Sequence, residues 1–78
     1  MSAGKISHND AFIEAIVFDY MKSIPSKAFA AFEIKSYERD LYNVDIMTVI
    51  AAIEALEKQN LITLASGDEA LRRWKIKV

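Results

Sequence analysis

Apolar residues recur three and four apart near the start of the chain, and Phe12, Ile13, Ile16, Val17, Tyr20 and Met21 share one broad arc of a helical wheel. The pattern predicts a helix that buries this arc, with Glu14 and Asp19 at its borders. Ser7 followed by Asp10, or else Asn9, supplies side-chain oxygens for the orphan N–H groups of a first turn. The helix is expected to run to about Lys22 and to stop before Pro25, whose ring disfavours helix in the preceding residue. Phe18 falls opposite the arc, between Ala11 and Ala15. Such a trio is either an ordinary exposed aromatic or a contact surface.

Ser26 to Phe29 allow a brief extended stretch after the proline. Ala30, Ile34, Tyr37 and Leu41 then return to helical spacing and predict a short second helix over 30–40. Its outer face mixes Glu33, Lys35, Glu38 and Arg39, a solvated pattern with opposite charges in reach of each other. A turn through Asn43 leads to a third helix over 45–59, with Ile46, Val49, Ile50, Ile53 and Leu56 on one arc and alanines on the other side. Asn60 is placed to close it in a left-handed conformation. LITLA (61–65), the turn SGDE (66–69) and LRRWKIKV (71–78) read as a β-hairpin. In its second strand Trp74 and Ile76 alternate with Arg73, Lys75 and Lys77. Ile46, Val49, Ile50, Ile53, Leu56, Leu61, Trp74 and Ile76 are the expected core, together with the inner arc of the first helix.

Within this order, the stretch VDIMTVIAAIEALEKQNLI (44–62) resembles the third helix of a winged helix-turn-helix domain running into its wing. A Leu, a charged pair, a helix-closing residue and a Leu-Ile pair follow at the spacing found there. That family usually has glycine where this chain has Asn60, and asparagine also accepts positive φ. The resemblance covers 9–78 in element order, leaving 1–8 as a flexible N-terminus. It implies a mainly α, α+β domain of three helices with a C-terminal two-stranded wing. It also implies DNA binding, with the third helix in the major groove and the wing on flanking phosphates.

Composition narrows the chemistry. With 78 residues, 53% apolar and 27% charged, the chain is one globular domain with a small core. It has no cysteine, so disulfides, thiolate metal sites and cysteine nucleophiles are excluded, while the redox compartment is left open. His8 is the single histidine, and the two glycines, Gly4 and Gly67, cannot form a phosphate-cradling loop. No serine has a histidine partner at a recognisable spacing. Neither catalysis nor a metal or other cofactor is expected. The apolar runs are far shorter than a membrane span, and an intracellular location, cytoplasmic or nucleoid-associated, is the simplest expectation.

Charge is segregated. Residues 71–78 hold Arg72, Arg73, Lys75 and Lys77 with no acid, a net +4, whereas residues 1–70 hold six bases and eleven acids, a net −5. A basic strand of this kind suits phosphate contacts, and Lys27, Lys35 and Arg39 would extend the patch. It also suits an edge strand protected from aggregation. The outward face expected for the third helix is Met47, Thr48, Ala51, Ala52 and Ala55, with Asp45 at its start. Only Thr48 there offers a hydrogen bond to a base edge, and Asp45 has the wrong sign for phosphate unless it caps the helix.

Two readings therefore stand. The first is a small transcriptional regulator on double-stranded DNA, homodimeric through Phe18, Ala11 and Ala15. The second is a protein-interaction domain of a larger assembly, packing Met47, Ala51 and Ala55 against a partner helix.

Overall fold

The computed structural model describes residues 3–67 and 71–77, with side chains from residue 11 onward. Helix α1 (Ala3–Ser23) leads to a two-residue strand β1 (Phe29–Ala30) and directly into α2 (Ala31–Tyr37). A 3₁₀ turn (Arg39–Leu41) precedes α3 (Ile46–Lys58), and strands β2 (Ile62–Gly67) and β3 (Arg72–Ile76) complete the chain. The fold is thus α+β, three helices and a three-stranded antiparallel sheet in a winged-helix-like arrangement. Ser7 and Asn9 lie inside α1, which begins upstream of both. His8 has no described side chain; of the turn expected over 66–69, Ser66 and Gly67 belong to β2 and the rest lies outside the described residues.

The core is one cluster fed by every element. Ile13, Val17 and Met21 come from α1, Ile34 from α2, Leu41 from the 3₁₀ turn, Val49, Ile53 and Leu56 from α3, and Phe29, Ile62 and Trp74 from the sheet. At ~1.5–3 kcal/mol for each large side chain, this burial is the main favourable term of folding.

Several faces are rotated from the positions expected of them. The buried stripe of α1 is Ile13, Val17 and Met21, spaced by four. Phe12 lies about 140° around the helix from Val17 and is 65% exposed, so it is not a core residue. Phe18 lies only about 100° from Val17, so it is half-buried and packs against the core instead of pointing away from it. In α3 the buried residues are Val49, Ala52, Ile53 and Leu56. Ala52, expected to face outward, is buried, while Ile46 and Ile50, expected in the core, are only half-buried. The cause is α1, which packs against the Ala52 side of α3, where a methyl group permits close approach. In this rotation the Gln59 amide at the end of α3 donates to Glu14 Oε1 of α1 at 3.2 Å.

Tyr37 is exposed because α2 ends there: Glu38 is extended, and Leu41 reaches the core through the 3₁₀ turn, not along a continuous helix. Leu61, also expected in the core, is exposed at the helix–strand junction.

The ends of α3 follow directly from its sequence. Asp45 Oδ2 accepts the Met47 N–H at 2.9 Å, so this carboxylate is the N-cap. Asn60 has φ +64°; its N–H donates to Glu57 O at 3.0 Å, and the Leu61 N–H donates to Leu56 O at 3.1 Å. That pair is a Schellman closure, with asparagine in the left-handed position.

The sheet has one strand more than the expected hairpin. Its order is β1-β3-β2, with Phe29 opposite Trp74 and Ala30 opposite Arg73. The extended stretch expected over 26–29 overlaps it at Phe29, but a two-residue strand is too short to display the alternation that would announce its pairing with β3. The consequence is that β3 is central at Arg73 and Trp74, and edge protection does not explain the basic residue there.

Candidate functional site

The surface of α3 divides into an outer stripe and two flanking grooves. Met47, Ala51, Glu54 and Lys58 form the stripe, and all four are exposed. Met47 is 65% exposed, large for a thioether side chain in a small domain. Towards α1, a shallow groove of about 170 Å³ is lined by Glu14, Thr48, Ala51, Ala52 and Ala55. Towards the sheet, a cleft of about 230 Å³ lies between Ala31 and Phe32 of α2, Ile46 and Ile50 of α3, and Trp74 of β3. Leu71 and Arg72 close its far side.

The wing cations divide into two groups. Arg73 points to the outer side of the sheet, where its guanidinium donates to Glu33 Oε1 at 2.6 Å. The same oxygen accepts the Ala30 N–H at 2.9 Å, so Glu33 joins the start of α2 to β3. Arg73 is one-third exposed and Glu33 only 19%, which makes Arg73 a fixed part of the framework. Arg72 faces the other way, its guanidinium carbon 5.1 Å from the centre of the Trp74 ring. Glu54 lies 3.8 Å from it, an ion-pair distance beyond hydrogen bonding. Lys75 and Lys77 are exposed on the outer side of the sheet and have no ion pair among the described residues.

The other predicted contact residues are dispersed. Lys27 sits before β1 with its ammonium 5.1 Å from the Phe29 ring centre. Lys35 donates to the Tyr42 carbonyl at 2.9 Å, and Arg39 is exposed in the 3₁₀ turn. Thr48 is half-buried in the α1-side groove. On α1, Ala11 and Ala15 are exposed, but Phe18 is half-buried and carries Lys22 at 4.6 Å over its ring, so the exposed aromatic of this helix is Phe12.

Phe32, Ile46, Ile50 and Leu71 were not among the sequence-predicted contact residues. Phe32 was the one with a local signal, since it falls out of phase with Ala30, Ile34 and Tyr37. Tyr20, its ring tilted 58° to that of Phe29 with centres 5.2 Å apart, has its hydroxyl pKa raised above the ordinary phenol value of 10.0 by burial, then by Tyr37, Glu38 and Glu33.

Among the described residues no group of three or more His, Cys, Asp or Glu is arranged to hold a metal ion, and no helix is long and apolar enough to cross a membrane. What the geometry defines is a winged-helix-like α+β domain with a mostly apolar surface around its third helix. Compared with known protein families, curated proteins and solved structures, the chain gives no match to any.

Proposed function

We propose that this protein is a winged-helix-type interaction domain that assembles with another protein through the exposed stripe of α3 and the grooves beside it. The observation that carries this reading is the chemistry of the stripe: Met47 and Ala51 form its apolar half, and Glu54 stands where a groove-reading helix needs Arg, Lys, Asn or Gln. Lys58, its one cation, lies at the far end of the helix. Contiguous exposed apolar groups of this kind favour a protein partner over a polyanion.

Ala51→Arg is the test, because the site is exposed and the substitution does not disturb the core. Proteins captured from producing cells by the wild-type chain, a second copy of itself included, should be lost on Ala51→Arg at unchanged melting temperature. Capture that is indifferent to Ala51→Arg, coupled with a gain in affinity for random duplex DNA, would refute the reading.

A second reading is supported by Lys75 and Lys77. Both project from the outer side of the sheet, and they suit the phosphates of double-stranded DNA, as expected of a regulator with a basic wing. Fluorescence anisotropy of a labelled random duplex decides its standing. Two phosphate contacts give a log–log salt slope of about −2 and vanish in a Lys75→Ala/Lys77→Ala protein.

A further inference from the structure

The cleft between α2, α3 and β3 is unusual among the surface features of this chain because its walls and its rim differ in chemistry. Six of the seven residues that line it are apolar, and the seventh is Arg72. Phe32 on one wall is 53% exposed, and Ile46 and Ile50 on the other are half-buried although the wheel places both on the core arc. Ile46 and Ile50 pack against the core with one side and remain partly open to water on the other, as Phe32 does more fully, a cost that an occupant would remove.

We propose that this cleft receives one large apolar side chain from a partner protein segment, and that Arg72 at the rim takes a carboxylate adjacent to that side chain. The inference rests on the protein-interaction reading above and names the partner's chemistry.

Three observations set that chemistry. The volume, about 230 Å³, lies below the roughly 300–1,000 Å³ of small-molecule sites and suits a side-chain anchor. The apolar walls exclude a phosphate backbone. Arg72 is the one charged residue of the lining and is only loosely held: it is half-exposed, rests on the Trp74 ring, and forms an ion pair with Glu54 at a distance too long for a hydrogen bond. A planar fork in that state has donors left for a bidentate carboxylate, and its ring contact already restricts its motion. Glu54 sets specificity as well, since it would repel a carboxylate placed on the α3 side of the rim and leave the wing side favoured.

The chain contains its own reporter, because Trp74 is the single tryptophan and lines the cleft. The experiment selects binders to the full chain from a random peptide library displayed on phage, then titrates the enriched peptides while following Trp74 fluorescence. The expected result is a consensus of an aromatic or leucine anchor beside Asp or Glu, with a change in Trp74 emission on binding. Phe32→Ala, at an exposed position, should weaken binding about tenfold or more. Arg72→Glu should do the same and should favour a peptide with lysine replacing the acid. Arg72→Gln, which avoids new repulsion with Glu54, should weaken the acidic peptide without favouring the basic one.

Peptides with no acidic preference, or binding unaffected by Phe32→Ala, would overturn the proposal. If those peptides are blocked by Ala51→Arg instead, the interaction reading survives and only the cleft assignment falls. Failure to enrich any peptide, together with salt-sensitive binding of random DNA, would overturn both.

Discussion

Whether Arg73 is part of the framework or a hand extended to a ligand can be measured through its tie to Glu33. One carboxylate oxygen accepts both the Arg73 guanidinium at 2.6 Å and the Ala30 backbone N–H at 2.9 Å. Replacing Glu33 with Ala removes both bonds in a partly buried setting. A net contribution of ~0.5–1.5 kcal/mol for the backbone bond and ~1.5–3 kcal/mol for the charged one bounds the loss. Solvent at Arg73, one-third exposed, pulls the charged bond towards its lower limit. Glu33→Ala should therefore cost about 2–3 kcal/mol and Arg73→Ala about 1–2 kcal/mol.

The decisive quantity is the coupling in the double-mutant cycle, expected at about 1–2 kcal/mol because Arg73→Ala removes only the shared bond. In a domain this small 1 kcal/mol moves the melting temperature by about 4–8 °C, so circular-dichroism melts of the four proteins resolve it, with urea titrations as the check on two-state behaviour. Coupling below ~0.3 kcal/mol would show that the two sites act independently and that the pair does not hold Arg73. In that case Arg73 would join Lys75 and Lys77 as a phosphate ligand, and the salt slope of DNA binding would steepen by about one unit.

Three further outcomes follow from the same geometry. Ile53→Ala should cost about 2–5 kcal/mol, whereas Phe12→Ala should cost under ~0.5 kcal/mol, a contrast read from paired urea titrations. Gly67 has φ +151°, and an added Cβ would stand 2.6 Å from the Arg72 Cα, so Gly67→Ala should destabilise the hairpin by about 1–3 kcal/mol, visible as faster amide exchange across β2 and β3. Tyr20 holds its proton more tightly when folded, so its contribution is complete below pH 10 and is lost as pH rises through its raised folded pKa. Phenolate absorbance should show one late-titrating tyrosine, absent in Tyr20→Phe, together with a decline in stability above pH 10 that Tyr20→Phe reduces.

Local chemistry determined much of this protein before any packing was considered. Pro25 ended the first helix, Asp45 capped the third and Asn60 closed it, because each acts on backbone groups within a few residues of itself. The alternation of Trp74 and Ile76 with Arg73, Lys75 and Lys77 likewise set the two faces of β3, since a strand has only two. Helix rotation was a different matter. A wheel rich in apolar residues permits several buried arcs, and the contact of α1 with the alanine side of α3 chose the one that buries Ala52 and leaves Ile50 only half-buried. The third strand, the Glu33–Arg73 tie and the cleft beside Phe32 join residues far apart in the chain. Packing alone decided them, and with them which cations support the fold and which surface is left for a partner.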